Sequence, residues 1–198
     1  MEAGTAPRGA APAVAAWLRS PLVPLAALVA GAGLLRLWAL GGAHANPYYD
    51  AAVRSMGLSA HNFLLAAYEP GGSVAIDKPP LDLWLQVASV KLLGFGPRGL
   101  IAPQALASTA AVGLLYGFVR RGFGRAAGLA AAAALAVLPI SVVTARSDTM
   151  DSLAMALSLA AAWLTVRAAQ TGRLRWLVAA GAVCGLNFEV KLFESLLV

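Results

Sequence analysis

Apolar positions run through this chain in long blocks rather than in alternation. Ala, Leu and Val dominate 21–40, 99–119, 126–143, 152–166 and 176–198, and charged or Pro/Gly-rich residues bound each block. A helix rises about 1.5 Å per residue, so about 20 apolar residues cross a hydrocarbon core of roughly 30 Å. The blocks predict five membrane spans and an all-α integral membrane protein built as a polytopic helical bundle. The polar stretch 41–98 must then lie outside the hydrocarbon, because unpaired backbone groups in lipid cost several kcal/mol each. Within it, Tyr49, Val53 and Met56 fall on one face at helical spacing, as in an amphipathic juxtamembrane helix. Behind Pro80, Leu81–Phe95 reads as a second interfacial helix, since Asp82, Gln86 and Lys91 interrupt its apolar run. Arg36, near the far end of the first block, is expected to snorkel outward beside Trp38.

Composition supports a membrane protein: 60% of residues are hydrophobic and 12% charged, against roughly 45–50% and about 25% in soluble domains. A net charge of +6 could suggest nucleic acid, but the basic residues sit at the ends of apolar blocks and form no phosphate-binding stripe. Cys184 lies in an apolar block and reads as a small buried hydrophobe.

Charge sets the orientation. With 1–20 as a disordered cytoplasmic tail, Arg120, Arg121 and Arg125, and likewise Arg167, Arg173 and Arg175, fall inside with no acid among them. Every acid except Glu2 then lies outside or near an outer span end, which satisfies the positive-inside rule. Treating Leu81–Phe95 as a span would break the rule twice. A secretory signal peptide cleaved after Ala43-His44-Ala45 is the competing reading of the first block. The length of the run and the position of Arg36 favour a retained helix. The last residues, Leu196-Leu197-Val198, stop inside an apolar block, which reads as a fragment of a longer protein.

In this topology three polar groups meet on the outer side. They are Asn46–Asp50 with Asp77-Lys78-Pro79-Pro80, Arg146–Asp151, and Glu189 with Lys191. Ionisable residues at span ends can be plain anchors, but three acid- and base-bearing clusters on one face suggest a working surface. The double proline fixes Asp77 and Lys78 at the mouth of the following helix. A lysine there suits a lipid-linked phosphate and a carboxylate suits an acceptor hydroxyl or a metal, although a loop-to-helix cap with a solvated ion pair fits the same residues. Asp148 is expected to cap the fourth span and Asp151 is kept for function, with Arg146 as the neighbouring phosphate ligand. His44 and His61 lack metal-ligand spacing.

The segments Asn46-Pro47-Tyr48-Tyr49-Asp50, His61-Asn62-Phe63, Asp77-Lys78-Pro79-Pro80-Leu81, Arg146-Ser147-Asp148-Thr149-Met150-Asp151 and Gly185–Lys191 occur in one order. From about residue 20 onward the chain resembles the amino-terminal third of a bacterial membrane glycosyltransferase of family 39. That group is related to the protein O-mannosyltransferases and the lipid A aminoarabinose transferases. The resemblance implies a GT-C-like helical fold in the plasma membrane and a polyprenyl-phosphate-linked sugar as donor. It also implies inverting transfer, on the extracytoplasmic face, to an acceptor protein or cell-envelope glycan. The Asp-Glu pair of the mannosyltransferases falls here at Ala45 and Asn46, so Asp50 or Asp77 would serve instead. In that frame Asp77, Asp151 and Asp50 are the catalytic candidates. Lys78, Arg146 and Lys191 would hold the donor phosphate, and Asn46, Tyr49 and Glu189 would contact acceptor or sugar. Oxygen ligands of this kind would suit magnesium or manganese rather than zinc, with metal dependence left open. The rival readings are a non-catalytic transporter segment or scaffold and an inactive truncated product. Transporters place charges or broken helices at the midplane, whereas these charges gather at the outer ends.

Overall fold

Two glycine turns fold the apolar blocks back on themselves. The computed structural model describes residues 22–43 and 46–192. The tail, His44-Ala45 of the expected cleavage site and residues 193–198 with Glu194 lie outside the described residues. The helices, in chain order, are α1 (Leu22–Leu37), α2 (Pro47–Met56), α3 (Ala60–Leu64), α4 (Leu81–Leu93), α5 (Pro97–Val137), α6 (Pro139–Ala145), α7 (Asp151–Thr171) and α8 (Leu174–Phe188). Among the described residues there is no strand, only an isolated antiparallel bridge between Ala67 and Ala75. Three segments are long and apolar enough to cross a membrane, namely Leu22–Gly42, α5 and α7, while α8 is apolar but shorter.

The 41 residues of α5 are two helices joined at Gly124, whose φ of 85° and ψ of 177° are not helical. Such a φ suits glycine, which has no Cβ to clash. The two halves then pack tightly: a Cβ on Gly128 would lie 3.0 Å from the Arg120 Cβ and 3.1 Å from the Tyr116 carbonyl oxygen. Around this hairpin Ala32 of α1 packs with Val112, Tyr116, Ala132 and Ala136. The second reversal, at Gly172 (φ 63°), ends α7 and lets α8 return along it.

Arg36 does not snorkel. It is fully buried, and its guanidinium donates to the Ser108 and Ser141 hydroxyls at 2.8 and 2.9 Å and to the carbonyls of Ala136, Leu135 and Ala32 at 2.9, 3.0 and 3.3 Å. Pro139 supplies the reason. It carries no N–H, so the Leu135 carbonyl four residues back has no helical donor, and α5 stops at Val137. The orphaned carbonyls at the negative end of that helix attract a cation. Facing inward therefore satisfies Arg36 better than reaching the interface. Arg36→Met should cost about 2 kcal/mol of stability through lost charge-assisted hydrogen bonds, seen as earlier thermal unfolding in detergent. Unchanged unfolding would show that these contacts contribute nothing net.

The polar segment packs onto the bundle as a cap. Asn46 starts α2, accepting the Tyr48 N–H at 3.0 Å, with Pro47 in the first turn. The stripe expected to meet lipid meets protein: Ala52, Val53 and Met56 are buried with Leu83 and Val87 of α4, Leu100 and Ile101 of α5, and Met150. Between α2 and α4 the buried Asn62 amide donates to Ser55 and to the Pro70 carbonyl, and the Trp84 indole donates to the Phe63 carbonyl at 2.7 Å.

Candidate active site

Four separated segments meet at one end of the bundle. The Tyr48 hydroxyl donates to Asp77 Oδ1 at 2.7 Å, tying α2 to the loop before α4. The Asn46 backbone N–H donates to Asp148 Oδ1 at 2.8 Å, tying α2 to the loop before α7. The Leu81 N–H donates to the Glu189 carbonyl at 3.1 Å, bringing the end of α8 against Pro79-Pro80. Lys191 Nζ donates to Asp151 Oδ1 at 2.7 Å, joining that same end to the start of α7. Tyr49, half-buried, stands among them: burial raises its hydroxyl pKa, and the charges of Lys78, Asp77, Asp148 and Asp151 all reach it. It is a neutral hydrogen-bond donor at pH 7.

The site carries two carboxylate–lysine pairs. Lys78 Nζ donates to Asp77 Oδ2 at 2.7 Å, and Asp77 is the more exposed partner. The hydrogen bonds from Lys78 and then Tyr48 hold the Asp77 carboxyl below the usual aspartate range, so it is ionised at neutral pH. The second pair, Asp151 and Lys191, is partly exposed. Each lysine can therefore turn toward an incoming phosphate while its carboxylate stays at the site.

The remaining acids behave differently. Asp50 has one buried oxygen without a partner, and desolvation raises its pKa. Asp148 is not the cap of α7: Met150 occupies that position with no side-chain cap. Its carboxyl is instead turned to Asn46, Oδ2 is buried without a partner, and burial pushes the group up to about 6. The reach to a second segment outweighs a local cap here. Arg146 is also occupied elsewhere. Its Nη1 donates to the carbonyls of Leu35, Arg36 and Trp38 at 3.2, 3.2 and 2.6 Å, so it closes the carboxyl end of α1. Glu189 caps α8 and contributes its backbone carbonyl to the Leu81 N–H.

A buried layer under the site was missed in the sequence. Asp82, in the first turn of α4, accepts the Gln86 amide on Oδ2 at 2.7 Å and the Gln104 amide on Oδ1. Gln86 Nε2 also donates to the Asp148 carbonyl at 3.0 Å, and Gln104 Oε1 accepts the Leu153 N–H at 3.1 Å. All three side chains are 0% exposed, and desolvation raises Asp82 to about 7. The layer clamps both ends of the 148–153 segment. The available signal was spacing: Asp82 and Gln86 stand four apart on one helical face, each followed directly by a buried residue, Leu83 and Val87.

Residues 77–198 match the family of dolichyl-phosphate-mannose-protein mannosyltransferases. The chain belongs to that family. It is 40% identical over 154 residues to "Putative mannosyltransferase YycA" of Bacillus subtilis (strain 168), a stretch covering 78% of this chain and 22% of that protein. It is 38% identical over 153 residues to "Putative mannosyltransferase YkcB" of the same organism, covering 77% and 21%. The chain thus spans little more than a fifth of the length of these curated relatives. No solved structure matches it. Within this mannosyltransferase-family chain the matched region opens at Asp77 and contains three of the four converging segments, while Asn46–Asp50 precedes it.

Proposed function

We propose that this chain forms part of a membrane glycosyltransferase of mannosyltransferase type, which transfers a sugar from a polyprenyl-phosphate donor to a protein or cell-envelope glycan outside the plasma membrane. The observation that carries this reading is the meeting of two carboxylate–lysine pairs around Tyr49 at one end of apolar helices. A lipid-linked donor needs its phosphate held at the membrane face and its sugar presented to an acceptor hydroxyl, and two basic and acidic pairs at the end of apolar helices suit both needs. Lys78 and Lys191 hold the phosphate as charge-assisted donors. Asp77 or Asp151 takes the proton from the acceptor hydroxyl as its oxygen bonds to the anomeric carbon. The carbon–oxygen bond to phosphate breaks with its electron pair, the lysines stabilise the leaving phosphate, and attack from the opposite face inverts the sugar. Tyr49 and Asn46 orient the sugar or acceptor, and Asp50 is the alternative base.

Magnesium or manganese needs a near-octahedral oxygen cage. Among the described residues no group of three or more His, Cys, Asp or Glu side chains is placed to hold a metal. The donor set of the described residues does not fit such an ion.

Membranes bearing the full-length protein, supplied with a panel of polyprenyl-phosphate sugars that includes mannose, should release free polyprenyl phosphate and label an acceptor. Labelling from nucleotide sugars with every polyprenyl donor inert would overturn the donor assignment. Reporters inserted after Arg125 and between Gly71 and Gly72 should read opposite sides of the membrane. Both on one side would remove the extracytoplasmic placement.

A further inference from the structure

The end of the bundle away from the carboxylates is built from arginines laid on tryptophans. Arg167 of α7 has its guanidinium carbon 4.6 Å from the Trp176 ring centroid and 5.3 Å from that of Trp163. Arg121, just before the Gly124 turn, lies 4.5 Å over Trp163, and Arg175 of α8 lies 5.1 Å over Trp176. The two indoles meet edge to face with centroids 6.5 Å apart. Stacking on an aromatic face fixes a guanidinium without using its N–H donors. Among the described residues the ion pairs are Lys78–Asp77 and Lys191–Asp151, both at the other end, so no described acid balances these cations. A fourth donor adds to the imbalance: Trp176 Nε1 is buried with no acceptor. Three fixed cations and an unanswered indole N–H form a donor-only cluster, and its chemistry asks for a multidentate anion.

Position narrows the anion. Arg167 is sixteen residues along α7 from Asp151, about 24 Å on the helix axis, and Arg175 follows just past the turn that ends α7. With the carboxylate site at one membrane face, Arg175 stands at the height of the opposite headgroup layer, and Arg167 lies about 6 Å short of it, a gap its long side chain spans by snorkelling. A lipid phosphate is held at that height by its acyl chains, whereas a soluble phosphate has nothing to keep it there.

We propose that the arginine–tryptophan cluster of Arg121, Arg167 and Arg175 on Trp163 and Trp176 is a binding site for an anionic phospholipid, its phosphate on the guanidiniums. The site is distinct from the transfer site, and its occupant ties the Gly124 and Gly172 turns to one leaflet.

The test is native mass spectrometry of the full-length protein in detergent with dioleoyl-phosphatidylglycerol, dioleoyl-phosphatidylcholine or inorganic phosphate in large excess. Phosphatidylglycerol should be retained roughly tenfold or more over phosphatidylcholine, because each basic residue near an anionic surface favours binding severalfold. The double variant Arg167→Gln/Arg175→Gln should bring retention down to the phosphatidylcholine level. Arg54→Gln, which removes a cation stacked on Phe95 at 4.2 Å near the other end, should leave retention unchanged. Equal retention of the two lipids overturns the proposal, and that comparison needs no variant, so a misfolded double variant does not shelter it. Wild-type retention in a folded double variant also overturns it. Complete displacement by inorganic phosphate would replace the lipid with a soluble phosphate.

Discussion

Asp77→Asn or Asp151→Asn, introduced into the full-length enzyme, is expected to lower turnover by about 10²–10⁴-fold, the usual contribution of a general base. Asparagine keeps the size of the side chain and most of its hydrogen bonding, so a loss of that order with normal membrane insertion separates proton transfer from packing. Asp148→Asn should leave turnover nearly intact, because an amide oxygen can still accept the Asn46 N–H now bound at 2.8 Å. The pH profile distinguishes the candidates independently. Asp77 is held below the usual aspartate range, so with Asp77 as base kcat/KM stays flat as pH falls through 6. Asp148 is pushed up to about 6, so with Asp148 as base kcat/KM drops with falling pH near 6 as the carboxyl takes up a proton. Lys78→Met should raise the donor KM. Wild-type turnover in both Asp77→Asn and Asp151→Asn would remove the carboxylate assignment and make Asp50 the next residue to test.

The apolar blocks were legible because membrane helices are written as long runs, and α1, α5 and α7 lie where those runs lie. So was the segment order of the site, since Asn46–Asp50, Asp77–Pro80, Arg146–Asp151 and Glu189–Lys191 do come together. What failed was the environment of individual polar residues. Arg36, Asp82 and Gln86 looked like interruptions that must reach water or headgroups, yet each is buried against protein partners far away in sequence. A hydropathy pattern says that a side chain needs a partner and not who supplies it. For Arg36 the partner was set by Pro139, far along the chain, through the Leu135 carbonyl left without a donor. For Asp148 a local cap was the simplest assignment, and a backbone N–H from α2 displaced it. Those contacts exist only once the helices are packed.

Asp82→Ala is expected to be the most damaging substitution for stability. It strands the Nε2 of Gln104 in a site with no solvent and deprives Gln86 of one of its two acceptors. A stranded buried donor costs about 1–3 kcal/mol, so the combined loss is about 2–6 kcal/mol before any cavity is counted. Asp82→Asn should recover much of this, because Gln86 can turn its amide and present an oxygen to the new NH2 group, at the expense of its hydrogen bond to the Asp148 carbonyl. The charge adds a pH signature. The folded group titrates at about 7 and the unfolded one near 3.9, so between those values the folded protein holds the extra proton. The contribution of Asp82 to stability is therefore full below about pH 4 and is lost as pH rises toward 7. Asp82→Asn should abolish the fall between about 6 and 7 and lessen it between about 4 and 6, where the portion due to Asp148 remains. Because the layer clamps the 148–153 segment, Asp82→Asn should also lower kcat more than it changes the donor KM. Thermal unfolding in detergent from pH 4 to 8 reads the first effect, and steady-state kinetics read the second. Identical unfolding curves for wild type and Asp82→Ala at every pH would show that the buried layer does not support the site.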